Sequence, residues 1–347
     1  MGNTVLGQLV GAAVVASVLA ASAASADVFN MPGGEKSLEL LPVGDAGNLA
    51  DARQGHYGAV PYAYAIGKWE VTNGQYRAFL NAVARTDTHG LYCATGYFGD
   101  GGMGGPYGGI SRNGASGDYA YTPKDGDAAW DSKPVNFVSW FNCLRFVNWL
   151  HNGQPSAPQG PSTTEDGAYD LSLGLSAARK PGARFALPNA DEWYKSAYYK
   201  GDSPDAGYWE YATRHDEVPN NHSPASDTGN SANYYDQGHA VGGPYYTSDV
   251  GAYARSLGPY GTLDQNGNIM EWTETASSAS SGQYWAFGGA WLFGANYLGA
   301  TDPAGDADPT VEVNYLGFRV VQVPEPATAA VLGLVAAALI ARRPGRK

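Results

Sequence analysis

The feature that most limits the fold is how little of this chain can be helical. Three stretches place apolar residues at helical spacing, and long polar stretches separate them. Glycine supplies 47 of the 347 residues and concentrates with Asn, Asp and Tyr in residues 89–131 and 201–248. Glycine loses more conformational freedom on ordering than any other residue, so these stretches read as loops rather than as helices or central strands. A helical bundle is thereby excluded. What remains is a mixed α+β domain with few helices, short antiparallel strands, long loops and low regular content.

The three helices are marked by their starts. After the strand-like run over residues 64–71, Thr72 and Gln75 form a capping-box pattern, and Tyr76, Phe79, Leu80 and Val83 follow on one helical face. Ser139 caps a second helix whose buried face is Trp140, Cys143, Leu144, Val147 and Leu150. Asn189 caps a short third helix over residues 190–197, with Glu192 placed to reach back to the cap. The last third alternates short apolar runs, such as Trp285-Ala286-Phe287 and Ala290-Trp291-Leu292, with glycine turns. Gly99, Gly101 and Gly104 match a dinucleotide-binding fingerprint in form only, because Pro106 follows at once and no βαβ pattern surrounds it.

Both ends carry addresses. Residues 5–20 are small and apolar, and Ala24-Ser25-Ala26 before Asp27 has the form of an export cleavage site, so residues 1–26 read as a signal peptide. At the other end Pro324-Glu325-Pro326 precedes an apolar run over residues 327–341 and the basic tail Arg342-Arg343-Pro344-Gly345-Arg346-Lys347. That order resembles the bacterial PEP-CTERM sorting signal, which implies transient inner-membrane tethering, processing by a membrane protease and release to the cell surface or extracellular matrix. The apolar run at about 1.5 Å per residue covers roughly 22 Å, short of a hydrocarbon core of about 30 Å. The alternative is an ordinary C-terminal anchor. The folded unit is expected over residues 38–322.

Charge bears on partners. Asp and Glu number 33 against 21 Lys and Arg, for a formal charge of −12. Nothing resembles a basic stripe, so nucleic acid is excluded as a partner. Two cysteines, Cys93 and Cys143, are compatible with a disulfide in an exported protein, or with buried thiols.

Six segments, in order, carry a resemblance. They are Ile66-Gly67-Lys68-Trp69-Glu70-Val71-Thr72-Asn73-Gly74-Gln75-Tyr76, Pro134-Val135-Asn136-Phe137-Val138-Ser139-Trp140, Leu187-Pro188-Asn189-Ala190-Asp191-Glu192-Trp193, Gly267-Asn268-Ile269-Met270-Glu271-Trp272, Gly288-Gly289-Ala290-Trp291 and Leu316-Gly317-Phe318-Arg319. Together they resemble the formylglycine-generating enzyme family, or sulfatase-modifying factors. The resemblance implies a fold related to C-type lectins and bound calcium. It also implies copper-dependent oxidation of a substrate cysteine, yet the positions of the family's copper-binding cysteines read Phe293 and Leu298, and Ala290 replaces the adjacent serine. Phenylalanine and leucine cannot ligate copper(I), which needs soft thiolates, so copper is not expected.

Calcium is the expected cofactor. The resemblance places its ligands at Asp264, Gly267, Ile269 and Glu271, a set of two carboxylates and two carbonyls suited to a hard cation, with a second site near Asn233 and Tyr234. The competing reading is a turn at Asp264 and Asn266, with Glu271 paired to an arginine. Trp291, Tyr297 and Arg319 are the candidates for a ligand groove. Two functions follow. One is an exported binding or surface module without catalysis, taking a protein or glycan. The other is a divergent metal-dependent oxidase acting on a thiol, in which His215, His222 and His239 with Asp216 would hold iron. No Gly-x-Ser-x-Gly supports a serine hydrolase.

Overall fold

The computed structural model describes residues 27–53, 56–278, 281–301 and 304–324. The signal peptide and all but the first two residues of the sorting segment lie outside them. In chain order the elements are β1 (Asp27–Phe29), β2 (Leu38–Val43), β3 (Tyr64–Gly67), α1 (Asn73–Val83), β4 (Ile110–Asn113), β5 (Ala120–Pro123), α2 (Trp140–His151), β6 (Phe185–Ala186), α3 (Ala190–Tyr198), β7 (Met270–Ala276), β8 (Tyr284–Phe287), β9 (Ala304–Ala307), β10 (Leu316–Gly317) and β11 (Val321–Gln322). Short single-turn helices punctuate the loops. One sheet has the order β1-β2-β3-β11-β6, a second β10-β7-β8-β9, and β4-β5 form a hairpin. All pairs are antiparallel except β10 with β7. The folded unit starts earlier than expected, because Asp27 to Phe29 already pair with β2.

The caps form as the sequence predicts. Thr72 Oγ1 accepts from the Gln75 N–H at 3.2 Å, and Gln75 Oε1 accepts from the Thr72 N–H at 2.9 Å. Asn189 and Glu192 exchange the equivalent pair, both at 2.8 Å. Ser139 Oγ accepts from the Asn142 N–H at 3.3 Å. Each cap satisfies N–H groups that have no partner within their helix.

Aromatic side chains join the helices to the strands. Tyr76 and Phe79 of α1 meet Phe146 of α2 with ring centroids 6.0 and 5.4 Å away, and Phe318 closes on Phe146 at 5.3 Å. Burying each such ring stabilises the fold by about 1.5–3 kcal/mol. Phe318 thus faces the helices. Arg319, next along the extended chain, faces the opposite way into the centre of the domain.

Cys93 and Cys143 are free and buried, so of the two readings the structure shows buried thiols. The Cys93 thiol bonds to the Glu312 carboxyl, and burial, followed by that carboxylate's charge, pushes its pKa up to about 12. A thiol so held is unreactive at neutral pH.

A buried charge centre and an aromatic face

Two clusters form where the resemblance directed attention. The first is buried. Arg319, with no accessible surface, grips Glu271 in a fork: Nε to Oε2 at 2.5 Å and Nη2 to Oε1 at 2.6 Å. Its remaining donors go to the carbonyls of Gly67 at 2.9 Å and Leu263 at 3.0 Å. Trp193 Nε1 donates to Glu271 Oε2 at 2.8 Å. This geometry corrects the placement of Arg319 in a ligand groove. A guanidinium matches a carboxylate in two parallel bonds, and sealed from water it serves the scaffold.

Glu70 and Asp264 share this interior. Burial, then the charges of Asp264 and Glu271, raise the Glu70 pKa well above the ordinary carboxylate range. Burial also raises Asp264 to about 6, against an opposing hydrogen bond from the Gly251 N–H at 2.5 Å. Asn268 Nδ2 donates to Glu70 Oε1 at 3.1 Å, and Asn268 Oδ1 accepts from Asn233 Nδ2 at 3.1 Å. Glu70 Oε2, Asn233 Oδ1 and Gln265 Oε1 are buried without a hydrogen-bond donor.

These details bear on whether a hard cation fits. Glu271 is engaged on both oxygens, so its charge is already matched. The unsatisfied oxygens of Glu70 and Asn233 are the kind of ligand such a cation takes. Gly267 packs directly on Asn233: its φ is +81°, and a Cβ there would lie 2.3 Å from the Asn233 carbonyl oxygen. Ile269 is fully buried in the core. Among the described residues no three His, Cys, Asp or Glu side chains converge to hold a metal ion. The histidine triad expected for iron therefore does not assemble: His215 bridges to Tyr211, and the His239 ring lies 5.1 Å from Tyr235.

The second cluster reaches the surface. Trp291 contacts the rings of Tyr107, Tyr246 and His239 at 5.6, 4.9 and 5.3 Å. Phe293 contacts Tyr297 and Tyr315, both at 4.9 Å. The two groups join where the Tyr235 N–H donates to the Phe293 carbonyl at 2.9 Å and the Tyr235 ring meets His239. Tyr97 and Phe98 pack edge to face at 5.1 Å beyond Tyr315 and are two-thirds exposed, at 67% and 66%. Asn136 sets the floor, since its Nδ2 donates to the carbonyls of Tyr107 at 2.9 Å and Asn314 at 2.8 Å.

Here the candidate positions separate. Tyr297 is exposed and Phe293 half-buried, while Ala290 and Leu298 have no accessible surface and Trp291, 5% exposed, lies beneath the face as part of the core rather than in an open groove. Leu298 packs with Tyr211, Ala232 and Tyr234. Its carbonyl accepts from Tyr198 Oη at 3.0 Å and Asn266 Nδ2 at 2.7 Å. Gly289 holds this turn at φ +69°, where a Cβ would lie 2.8 Å from the Leu298 side chain. Sequence reasoning named Trp291 and Tyr297 but missed Tyr97, Phe98, Tyr107, Tyr235 and Tyr246. Their only signal was the abundance of tyrosine in the glycine-rich loops.

A family profile described as the sulfatase-modifying factor enzyme 1-like domain matches residues 22–324. The chain belongs to this family. A PEP-CTERM protein-sorting motif matches residues 322–347, which indicates export with membrane-associated sorting and processing at the C-terminus. Among the described residues no helix is long and apolar enough to cross a membrane. No curated protein matches the chain. Among solved structures, CarF is 22% identical with a TM-score of 0.50, over 83% of this chain and 98% of its own. PvdO from Pseudomonas aeruginosa is 16% identical with a TM-score of 0.51, over 86% and 98%. Treponema denticola variable protein 1 is 18% identical with a TM-score of 0.50, over 86% and 99%. At these identities the family domain and the three structures have the fold in common, and function has to be argued from the site.

Proposed function

We propose that this protein is an exported, non-catalytic binding module of the sulfatase-modifying factor family, and that its aromatic face takes a neutral polysaccharide. The observation that carries the reading is the fate of the two positions where active relatives hold copper. Phe293 is one ring in a surface stack, and Leu298 is sealed in the core with its carbonyl doubly bonded. Nothing at either position offers a soft ligand.

The ligand class follows from charge. Residues 94–108, 231–248, 286–301 and 311–318, which carry the rings, contain no Lys or Arg, while Asp100, Asp236 and Glu312 lie among them. A face without cations disfavours phosphate, uronate or nucleic acid. Rings offer flat apolar surface to the C–H faces of sugars, with few charges to desolvate. Calcium enters as a structural brace at Asn233 and Asp264, where Asn233 Oδ1 is buried without a donor and the Asp264 carboxylate accepts from the Gly251 N–H. Glu271 is left to Arg319.

Calorimetric titration with neutral hexasaccharides, a polyuronate and an uncharged peptide tests the reading. Saturable binding of a neutral sugar, weakened about tenfold in Tyr297→Ala, supports it. Preference for the polyuronate, or binding of the peptide alone, would sink the ligand assignment. Turnover of a thiol substrate would sink the non-catalytic assignment.

A further inference from the structure

The point where the chain leaves the domain has features that the aromatic face does not use. The Val323 N–H donates to the Arg184 carbonyl at 3.1 Å. Val323 and Pro324 line two clefts, one of about 230 Å³ shared with Tyr62 and Lys180, the other of about 330 Å³ shared with Arg184. The same loop carries Leu173 and Leu175, which are 55% and 54% exposed. Residues 171–190 contain no Asp or Glu, in a chain whose formal charge is −12.

The charges in this loop are not equivalent. Arg179 is neutralised by Glu192 and Glu274. Lys180 pairs with Asp166 at the surface. Arg184 is exposed, has no carboxylate partner among the described residues, and lies over the rings of Phe29 and Phe185 at 5.6 and 5.1 Å. Its backbone N–H donates to His151 Nδ1 at 3.1 Å, and burial, then the charges of Arg184 and Lys180, lowers the pKa of that imidazole, so the cationic character here is that of Arg184 and Lys180.

Chain connectivity identifies what lies opposite. Only Glu325 and Pro326 separate Pro324 from the apolar run over residues 327–341. Two residues span at most about 7 Å. When that run is held in a bilayer, the exit face is therefore drawn against the lipid headgroups. We propose that Leu173, Leu175, Lys180 and Arg184 form a docking surface for an anionic phospholipid membrane. The leucines enter the interface, and the cations, Arg184 above all, meet lipid phosphates. The domain is then oriented as well as tethered. None of the ring-bearing segments contributes to the two clefts, so the aromatic face stays free for its ligand.

The test uses the chain from Asp27 to its end, bound to vesicles with or without phosphatidylglycerol. A fluorophore is placed at Leu175→Cys or Tyr297→Cys and read with an aqueous quencher; Cys93 and Cys143 are buried and do not compete for label. On anionic vesicles the 175 label should be quenched several-fold less than in detergent, while the 297 label is quenched equally in both. R184E should restore quenching at 175 while the protein still floats with the vesicles and keeps its near-ultraviolet dichroism. Equal quenching of the 175 label on anionic vesicles and in detergent would overturn the proposal, and so would protection that R184E leaves unchanged.

Discussion

The buried charge centre and the aromatic face have the same origin in the chain and opposite fates. Both include segments by which the family is recognised. At the centre, Arg319 and Glu271 are locked in a buried fork, and Glu70 lies beside them with its carboxyl pushed towards the neutral form by burial. At the face, the two positions where the resemblance puts copper-binding cysteines hold a half-buried ring and a core leucine. The difference teaches that the interior charges serve the scaffold, whereas the proposed binding role rests on surface rings. Removing Arg319 or Glu271 leaves the other's charge uncompensated in a low-dielectric interior. Removing a member of the face changes what the surface binds.

The largest effect should come from breaking the centre. Arg319→Leu leaves Glu271 buried without its cation, and we expect a loss of about 3–5 kcal/mol in urea unfolding. A loss below about 1 kcal/mol would mean that the centre is not what holds the strands.

A pH series sharpens the same side. Burial raises Asp264 to about 6 and Glu70 well above its ordinary range. A carboxyl raised in the folded state contributes stability below its unfolded pKa, and that contribution is lost as pH rises through the folded value. In chelator, stability should therefore fall by about 1–3 kcal/mol between roughly pH 5 and pH 7. Calcium should restore most of it at neutral pH and little at acid pH, since the cation favours the ionised forms. A chelated protein whose stability is flat over this window would contradict the account of the interior.

On the face, Tyr297→Ala should weaken sugar binding about tenfold, equivalent to about 1.4 kcal/mol, and leave the unfolding midpoint nearly unchanged. Thr72→Ala, which touches neither region, should cost about 1 kcal/mol through loss of its cap and leave binding alone. If Thr72→Ala weakened binding as much as Tyr297→Ala, the two regions would not be separable.

What could be read in the sequence follows from how local each cause is. Thr72 with Gln75, Ser139 and Asn189 with Glu192 act within one helical turn, so the starts of all three helices are visible without the fold. The two-residue strands β10 and β11 are not visible, because only their pairing with β7, β3 and β6 defines them. The aromatic face was half legible: Trp291 and Tyr297 lie in a recognisable motif, whereas Tyr107 and Tyr246 reach Trp291 from loops whose course has no local signature. Arg319 was misplaced because its motif does not reveal which side of an extended strand faces the interior. Its pairing with Glu271 was open in the sequence only as one of two readings.

The central claim is that the oxidase chemistry is gone while the fold remains. The signal-free protein should be incubated with a Cys-x-Pro-x-Arg peptide, oxygen, reductant and copper, beside an active family member, and the peptide mass followed. The account predicts conversion to formylglycine in the control and an unchanged peptide here. Conversion by this protein would mean that the reaction survives without thiolates at positions 293 and 298, and would contradict the account.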